Sequence, residues 1–148
     1  MNHVGRIYSK RLDREEKELG KRYNNCLLEY KGNCNEMTVI IDGKIIKAVL
    51  PLHYPFKPPN LFIENNRYIK MLQSKFTGFR TQDDKCLCCK SITCSHNWCP
   101  SKKVIDVIEE YLENKRFYVL LIQKRFVRSV CLKHHIPLEL EDMINSFL

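Results

Sequence analysis

Residues 51–63 read PLHYPFKPPNLFI and place four prolines within nine positions. Proline has no backbone N–H and biases the residue before it toward extended geometry, so this stretch is neither a helix nor a central strand. We expect a rigid loop, after which a strand resumes at residues 61–63. Tyr54 and Phe56 are interleaved with the prolines. The loop therefore either braces the edge of a sheet or presents Phe56 as an exposed anchor.

Signals before the loop predict one helix and a hairpin. Residues 4–19 keep the helical spacing of apolar positions with a charged opposite face, and Gly20 is placed to end that helix. Strand-like runs follow at residues 26–30, 37–41 and 44–50. Asp42-Gly43 lies between the last two runs and is a strong hairpin signal. The second and third runs are therefore expected to pair.

The region after the loop alternates irregular and helical segments. Residues 65–84 show little periodicity and are predicted to be mostly loop. Ser101 is placed to cap a helix whose apolar side chains recur at helical spacing, at Val104, Val107, Ile108 and Tyr111. A second helical pattern covers residues 117–130, and Pro137 lies in the first turn of a last short helix that reaches Phe147.

The composition is typical of one globular domain. The chain has 148 residues, of which 44% are hydrophobic and 28% are charged. No apolar stretch approaches the roughly 18 residues of a membrane span, and the N-terminus lacks the apolar core of a signal peptide. We therefore expect a cytoplasmic or nuclear protein, or one from the interior of a virus, with reduced thiols and no membrane partner.

The positive charge of the chain is unevenly placed. The net charge is +8, and every charged residue between Glu113 and Glu139 is basic. Such a run is typical of a surface that binds nucleic acid or an acidic protein. It is equally compatible with a solvated helix face.

The segment at residues 85–101, KCLCCKSITCSHNWCPS, holds five of the eight cysteines and the only tryptophan. Thiolate and imidazole groups are soft ligands that suit zinc, and four of them complete a site. Adjacent Cys88 and Cys89 point to opposite sides of an extended chain, so only one of them easily joins a given site. Trp98 is expected to pack beneath the segment. The predicted zinc ligands are Cys89, Cys94, His96 and Cys99, with Cys88 as a substitute for Cys89.

Three motifs in this order resemble the ubiquitin-conjugating enzyme family. Residues 54–59, YPFKPP, are similar to the proline loop of that family, and Cys86-Leu87 resembles its active-site dipeptide. Trp98-Cys99-Pro100 stands where the family has Trp-Ser-Pro. The resemblance covers residues 6–111. It implies an α+β fold in which a four-stranded antiparallel meander is flanked by helices, within a single domain of residues 1–148.

The resemblance implies a transferase that carries a modifier as a thioester. Cys86 would accept the C-terminal acyl group of ubiquitin or a ubiquitin-like protein from an activating enzyme, and would pass it on, alone or with a ubiquitin ligase. Lys85 and Lys90 flank Cys86, and nearby cations favour the thiolate form that acts as the nucleophile. The partner-binding candidates by resemblance are Arg6, Lys10, Phe56 and Pro100.

The chain also departs from this family. The family's His-Pro-Asn motif, whose asparagine steadies the loop and the oxyanion, has no counterpart, because residues 76–78 read Phe-Thr-Gly. The helical part from about residue 112 is divergent. Candidate replacements for the asparagine are Thr77, Gln82 and Asn97. The alternative function is a catalytically inert interaction module whose cysteine segment is stabilised by zinc, so whether the chain is an enzyme stays open.

Overall fold

A computed structural model of the chain describes residues 3–24, 26–31, 34–73 and 87–147. The helices are α1 (His3–Tyr23), α2 (Tyr68–Gln73), α3 (Val104–Lys133) and α4 (Leu138–Asn145). The strands are β1 (Cys26–Lys31), β2 (Cys34–Ile41), β3 (Lys44–Leu50), β4 (Asn60–Ile63) and β5 (Asn66–Arg67). A short 3₁₀ helix, Leu87–Cys89, opens the described part of the cysteine segment.

The sheet is an antiparallel meander in which the five strands of the described residues follow one another in sequence order. This arrangement confirms the α+β class and the predicted strands. The short strand β5 pairs with β4 and was not predicted, so the meander has one more strand than the expected four. Asp42 and Gly43 form the turn between β2 and β3, and both have positive φ, 51° and 71°, which this residue pair tolerates.

The core lies between one face of the sheet and two helices. Alternate side chains of β2 and β3, including Met37, Val39 and Ile46, are buried because strand side chains point to opposite faces in turn. Leu12 and Leu19 of α1 belong to the same cluster. The apolar set predicted at the start of α3 also joins it, with Val104, Val107, Ile108 and Tyr111 all buried. This packing fixes both helices against the sheet.

Two predicted helix boundaries are wrong. α1 does not end at Gly20 but continues to Tyr23. A glycine within a helix costs about 1 kcal/mol relative to alanine, and the packing of Tyr23 against the core offsets this cost. The residue with left-handed geometry that follows the helix is Asn24, whose φ is 63°. Ser101 does not cap α3, because Lys103 is its N-cap.

The helical structure of the C-terminal half is more continuous than the sequence predicts. The two helices predicted on either side of residue 112 are one helix of 30 residues, α3. No Gly or Pro lies in this stretch, so nothing in the chain interrupts the backbone hydrogen bonds. The last helix begins after Pro137, which is its N-cap, and ends at Asn145 before the predicted Phe147. None of the helices in the described part of the chain is long and apolar enough to cross a membrane.

Part of the predicted loop at residues 65–84 is ordered secondary structure. It contains β5 and the short helix α2, whose Tyr68 is buried. The Tyr68 hydroxyl donates to a carboxylate oxygen of Glu110 at 3.0 Å and accepts a hydrogen bond from the Asn114 side-chain amide at 2.7 Å. These partners lie on α3, far along the chain. Sequence periodicity over six residues was too short to reveal the helix.

Candidate functional site

A buried carboxylate on α1 connects three parts of the fold. Glu15 is only 3% exposed. Its oxygens accept hydrogen bonds from the Arg11 Nε at 2.7 Å, the Tyr54 hydroxyl at 2.7 Å and the backbone N–H of Val104 at 3.0 Å. A buried charge is stable only when it is paired and fully hydrogen-bonded, and here donors come from α1, the proline loop and the start of α3. Glu15 therefore also occupies the place of a helix cap for α3.

Arg11 extends this network to the segment that precedes α3. Its guanidinium donates to the carbonyl oxygens of Pro100 and Lys102, each at 2.6 Å. The same group lies 5.2 Å from the centre of the Tyr54 ring, within the range of a cation–π interaction. Burial, reinforced by the neighbouring Glu15 carboxylate, raises the pKa of Tyr54 far above its ordinary value. The phenol therefore stays protonated and remains a hydrogen-bond donor.

Trp98 fastens the cysteine segment to the proline loop. Its indole Nε1–H donates to the carbonyl oxygen of Pro55 at 2.6 Å, and its ring centre lies 6.1 Å from that of Tyr54. Trp98 is buried in the core, as the sequence predicted. Together with the bonds of Arg11 and Glu15, this contact holds α1, the proline loop and residues 98–102 in one arrangement.

Three side chains next to this frame of hydrogen bonds lie on the surface: Lys10, Phe56 and Pro100. We call these three side chains the front face. Phe56 is 78% exposed, whereas Tyr54, two residues earlier, is buried. The proline loop therefore has both predicted roles, because Tyr54 braces the fold and Phe56 is exposed to solvent. Lys10 and Pro100 are also exposed. Lys10 borders a cleft of about 570 Å³ whose further cations include Arg14 and Lys103.

The cysteine segment is a series of turns tied to α3. The Asn97 side-chain amide donates to the carbonyl oxygens of Cys89 at 2.7 Å and Ser91 at 3.1 Å. Glu110 of α3 accepts from the Ser91 hydroxyl at 2.6 Å and from the backbone N–H of Ile92 at 2.7 Å. Asn97 thus steadies the segment from within, and Glu110 anchors it to the helix.

The predicted metal ligands are only partly brought together. The Cys94 sulfur lies 3.9 Å from Nδ1 of His96, a separation close to that of two ligands on one tetrahedral ion. Cys99 instead accepts a hydrogen bond from the Ser101 hydroxyl at 3.1 Å. Cys88 is disulfide-bonded, and in that form it offers no thiolate. Among the described residues, no three cysteine, histidine or acidic side chains converge as a metal site requires.

Two thiols of the described residues differ clearly in acidity. The Ser101 side chain, followed by its backbone N–H, donates to the sulfur of exposed Cys99 and lowers its pKa. Burial raises the pKa of Cys26 to about 11, and the nearby Glu16 carboxylate adds to the effect. Thiolate is the reactive form, so Cys99 is chemically available and Cys26 is not.

Several predicted site residues lie outside the part of the chain that the structure describes. Cys86, Thr77 and Gln82 fall between the described ranges, and the side chain of Arg6 is likewise outside them. Of the residues that organise the site, the sequence reading missed Arg11, Glu15 and Glu110. The available signal was an arginine and glutamate four residues apart, which form a pair on one face of a helix. That spacing indicates a pair but not its burial.

Comparisons with known proteins found no matching family model, no similar characterised protein and no similar solved structure. No residue role is therefore transferred from a relative. The function of this chain has to be inferred from the arrangement around Glu15 and from the chemistry of the cysteine segment.

Proposed function

We propose that this chain is a divergent ubiquitin-conjugating-enzyme-like protein that carries ubiquitin or a ubiquitin-like modifier as a thioester on Cys86. The observation that supports this most is the Glu15–Arg11 network. It joins α1, the proline loop and the Trp98–Pro100 region, the same three elements that form the partner-binding face in the family that the sequence resembles. The finer fold assignment, to the ubiquitin-conjugating type, belongs to this proposal.

The exposure of Phe56 adds a physical reason for a protein partner. Its 78% exposure leaves a large apolar ring in water, which a monomer gains nothing from. The chain immediately before Phe56 is fixed, because Tyr54 bonds to Glu15 and the Pro55 carbonyl accepts a hydrogen bond from Trp98. A rigid aromatic anchor loses little conformational entropy when it binds, and such anchors contribute about 2 kcal/mol or more at interfaces.

The proposed reaction exchanges one thioester for another. The Cys86 thiolate attacks the carbonyl carbon of the thioester that links the modifier's C-terminus to the activating enzyme. A new carbon–sulfur bond forms, the old one breaks, and the thiolate of the activating enzyme leaves. The exchange itself changes no oxidation state, but it requires free thiols, so a thiol reductant opens the disulfide of Cys88 and is removed before the reaction. A second exchange of the same kind passes the acyl group onward.

The test is a charging assay with single cysteine variants. The purified chain is incubated with activating enzyme, ATP and ubiquitin, and with ubiquitin-like modifiers in parallel, then run on non-reducing gels. We expect a thiol-sensitive adduct with the wild type and with the Cys89→Ser and Cys94→Ser controls, and none with Cys86→Ser. An adduct that survives in Cys86→Ser would assign the chemistry to another thiol.

A second function, an inert interaction module of the same fold, is favoured by the bonds of Asn97. Both hydrogens of its side-chain amide are engaged by the carbonyl oxygens of Cys89 and Ser91. Asn97 therefore supplies the loop-steadying role of the missing asparagine but has no hydrogen left for an oxyanion. Loss of one such donor costs about 2.7–4 kcal/mol of transition-state stabilisation in other enzymes. No charging with any modifier, together with partner binding that depends on Phe56, would identify the module.

Zinc binding by the cysteine segment belongs to this second proposal. The Cys94–His96 pair offers two soft ligands, and Cys89 and Cys99 are the proposed remaining ones. Bound zinc would lock the segment between the 3₁₀ helix and the start of α3. Elemental analysis of protein purified without added metal tests it, with one equivalent expected in the wild type and in the Cys34→Ser control. Cys94→Ser should lose the metal, and zinc well below one equivalent in the wild type would contradict the site.

A further inference from the structure

The C-terminal helices expose an unusual amount of apolar surface. Nine of the fifteen exposed large hydrophobic side chains in the described residues lie between 117 and 147. They include Phe126, at 69% exposure, and Phe147, at 84%. We call the outer surface of α3 from Asn114 onward, together with α4, the C-terminal surface. Monomeric proteins rarely keep large contiguous apolar patches in water, so those of these side chains that lie together call for a partner.

The contact between the two helices is also incomplete. α4 packs against α3, where Cys131 is buried. Glu141 of α4 is only 9% exposed, yet one of its carboxylate oxygens has no hydrogen-bond partner among the described residues, and neither has the buried side-chain oxygen of Asn145. These residues are four apart and share a side of α4. Both oxygens are shielded from solvent, so this incomplete bonding lies inside the contact between α3 and α4 of one molecule.

The charges on α3 and α4 limit which kind of partner fits the C-terminal surface. From Asn114 to Lys133, α3 contains only basic charged residues, including the exposed Lys124 and Arg128. α4 contains only acidic ones, including the exposed Glu139 and Asp142. No ion pair links the two sets among the described side chains. Nucleic acid or an anionic membrane would meet the acids of α4, and a purely acidic protein would leave them without cations.

We propose that the C-terminal surface is a homodimer interface, in which α4 of each copy lies on the basic part of α3 of the other. A second copy is the occupant that brings both signs of charge in complementary places. In a two-fold dimer every such contact is made twice, because the surface is complementary to itself. This inference goes beyond the proposed function and does not depend on it.

The exposed apolar side chains supply part of the area that such an interface needs. From their exposed fractions and typical areas for large apolar side chains, the nine residues expose roughly 800 Å² of apolar surface. A stable interface buries about 800 Å² on each partner, including its polar rim. Part of the apolar set points to other sides of α3, and the charged residues of both helices supply the rest of the contact.

The test uses sedimentation equilibrium of the full chain, at roughly 50 μM, above the micromolar dissociation constants of weak interfaces. We expect twice the monomer mass of 17.6 kDa for the wild type and for the Leu27→Glu control, an exposed apolar residue on the sheet. Phe117→Glu, which lies on the same side of α3 as Lys124 and Arg128, should raise the dissociation constant at least about tenfold while the circular dichroism spectrum stays folded. A wild type that is monomeric throughout overturns the proposal, and retention of that monomer on phosphatidylserine vesicles would identify a membrane instead.

A charge-swap experiment tests the pairing without touching the apolar core. One variant carries Glu139→Lys and Asp142→Lys, and the other carries Lys124→Glu and Arg128→Glu. In a homodimer of either variant like charges face each other, so each alone should be monomeric. In the mixed dimer both contacts again join opposite charges, so an equimolar mixture should recover the dimer. Two variants that both dimerise alone, or a mixture that stays monomeric, would refute this arrangement of helices.

Discussion

Two buried glutamates of this chain are in opposite situations. Glu15 on α1 is 3% exposed and accepts from three donors that belong to different parts of the fold. Glu141 on α4 is 9% exposed, and one of its oxygens has no partner among the described residues. The first carboxylate is satisfied within a single molecule. The second keeps one oxygen without a donor inside the contact between α3 and α4.

This contrast helps to distinguish a region that is complete within one molecule from a surface that contacts another molecule. Around Glu15, buried polar groups are paired, and the exposed residues of the front face project from a frame that does not need them for stability. Near Glu141, exposed apolar side chains lie on the same two helices as buried acceptors that have no donor among the described residues. The front face therefore suits transient partners, whereas the C-terminal surface suits a lasting contact.

The largest expected effect comes from removing the satisfied carboxylate. Glu15→Ala leaves the Arg11 guanidinium, the Tyr54 hydroxyl and the Val104 N–H without their acceptor, so we expect a loss of about 3–5 kcal/mol in the free energy of unfolding. Urea unfolding followed by circular dichroism measures it. Glu18→Ala is the matched control, because Glu18 lies on the same helix and its half-exposed pair with Lys103 is screened by solvent and contributes little. Equal losses for the two variants would mean that the Glu15 network does not hold the fold.

Thiol reactivity gives a second contrast between the two regions. Cys99, near the front face, is exposed and its pKa is lowered by Ser101, whereas Cys131 is buried beneath α4. Alkylation by iodoacetamide at neutral pH, followed by peptide mass spectrometry, should be at least about tenfold faster at Cys99, since only exposed thiolate reacts. Because its pKa is lowered, the rate at Cys99 should also level off at a lower pH than that of a free cysteine peptide. Comparable rates at both positions would show that α4 does not cover Cys131.

The smallest effect is expected at the unsatisfied carboxylate. Glu141→Gln removes a charge that has an incomplete set of donors, so we expect less than about 1 kcal/mol of change in the unfolding free energy of the dilute, monomeric protein. Urea unfolding at the lowest usable protein concentration measures it. A loss as large as that of Glu15→Ala would mean that Glu141 already has strong partners within its own chain.

Local patterns of the sequence predicted much of the fold. The Asp42-Gly43 turn, the strands on either side and the apolar set at the start of α3 each depend on neighbours along the chain, and each is present. The end of α1 was predicted wrongly, because tertiary packing of Tyr23 outweighed the local preference of Gly20. Local signals are reliable where no distant contact opposes them.

The candidate site was less accessible from sequence. Phe56 and Trp98 were singled out by their motifs, but their opposite burial was decided by contacts across the fold. Glu15 and Glu110 gave no motif, because the groups that they bind lie on other elements. A hydrogen bond between distant residues leaves no periodic trace in a single sequence. Cys86 remains a prediction from resemblance alone.

We propose that the front face binds an activating enzyme that carries ubiquitin as a thioester. The rate of ubiquitin transfer from that enzyme to this chain tests the proposal most directly. Single-turnover transfer of ubiquitin from that enzyme is measured for the wild type, Phe56→Ala and Leu52→Ala. Leu52 is the control, because it lies near the start of the same loop and is 76% exposed. We expect Phe56→Ala to slow transfer roughly 30-fold, the equivalent of about 2 kcal/mol, and Leu52→Ala to stay within about twofold of the wild type. Equal rates for Phe56→Ala and the wild type, in folded protein, would contradict docking through the front face.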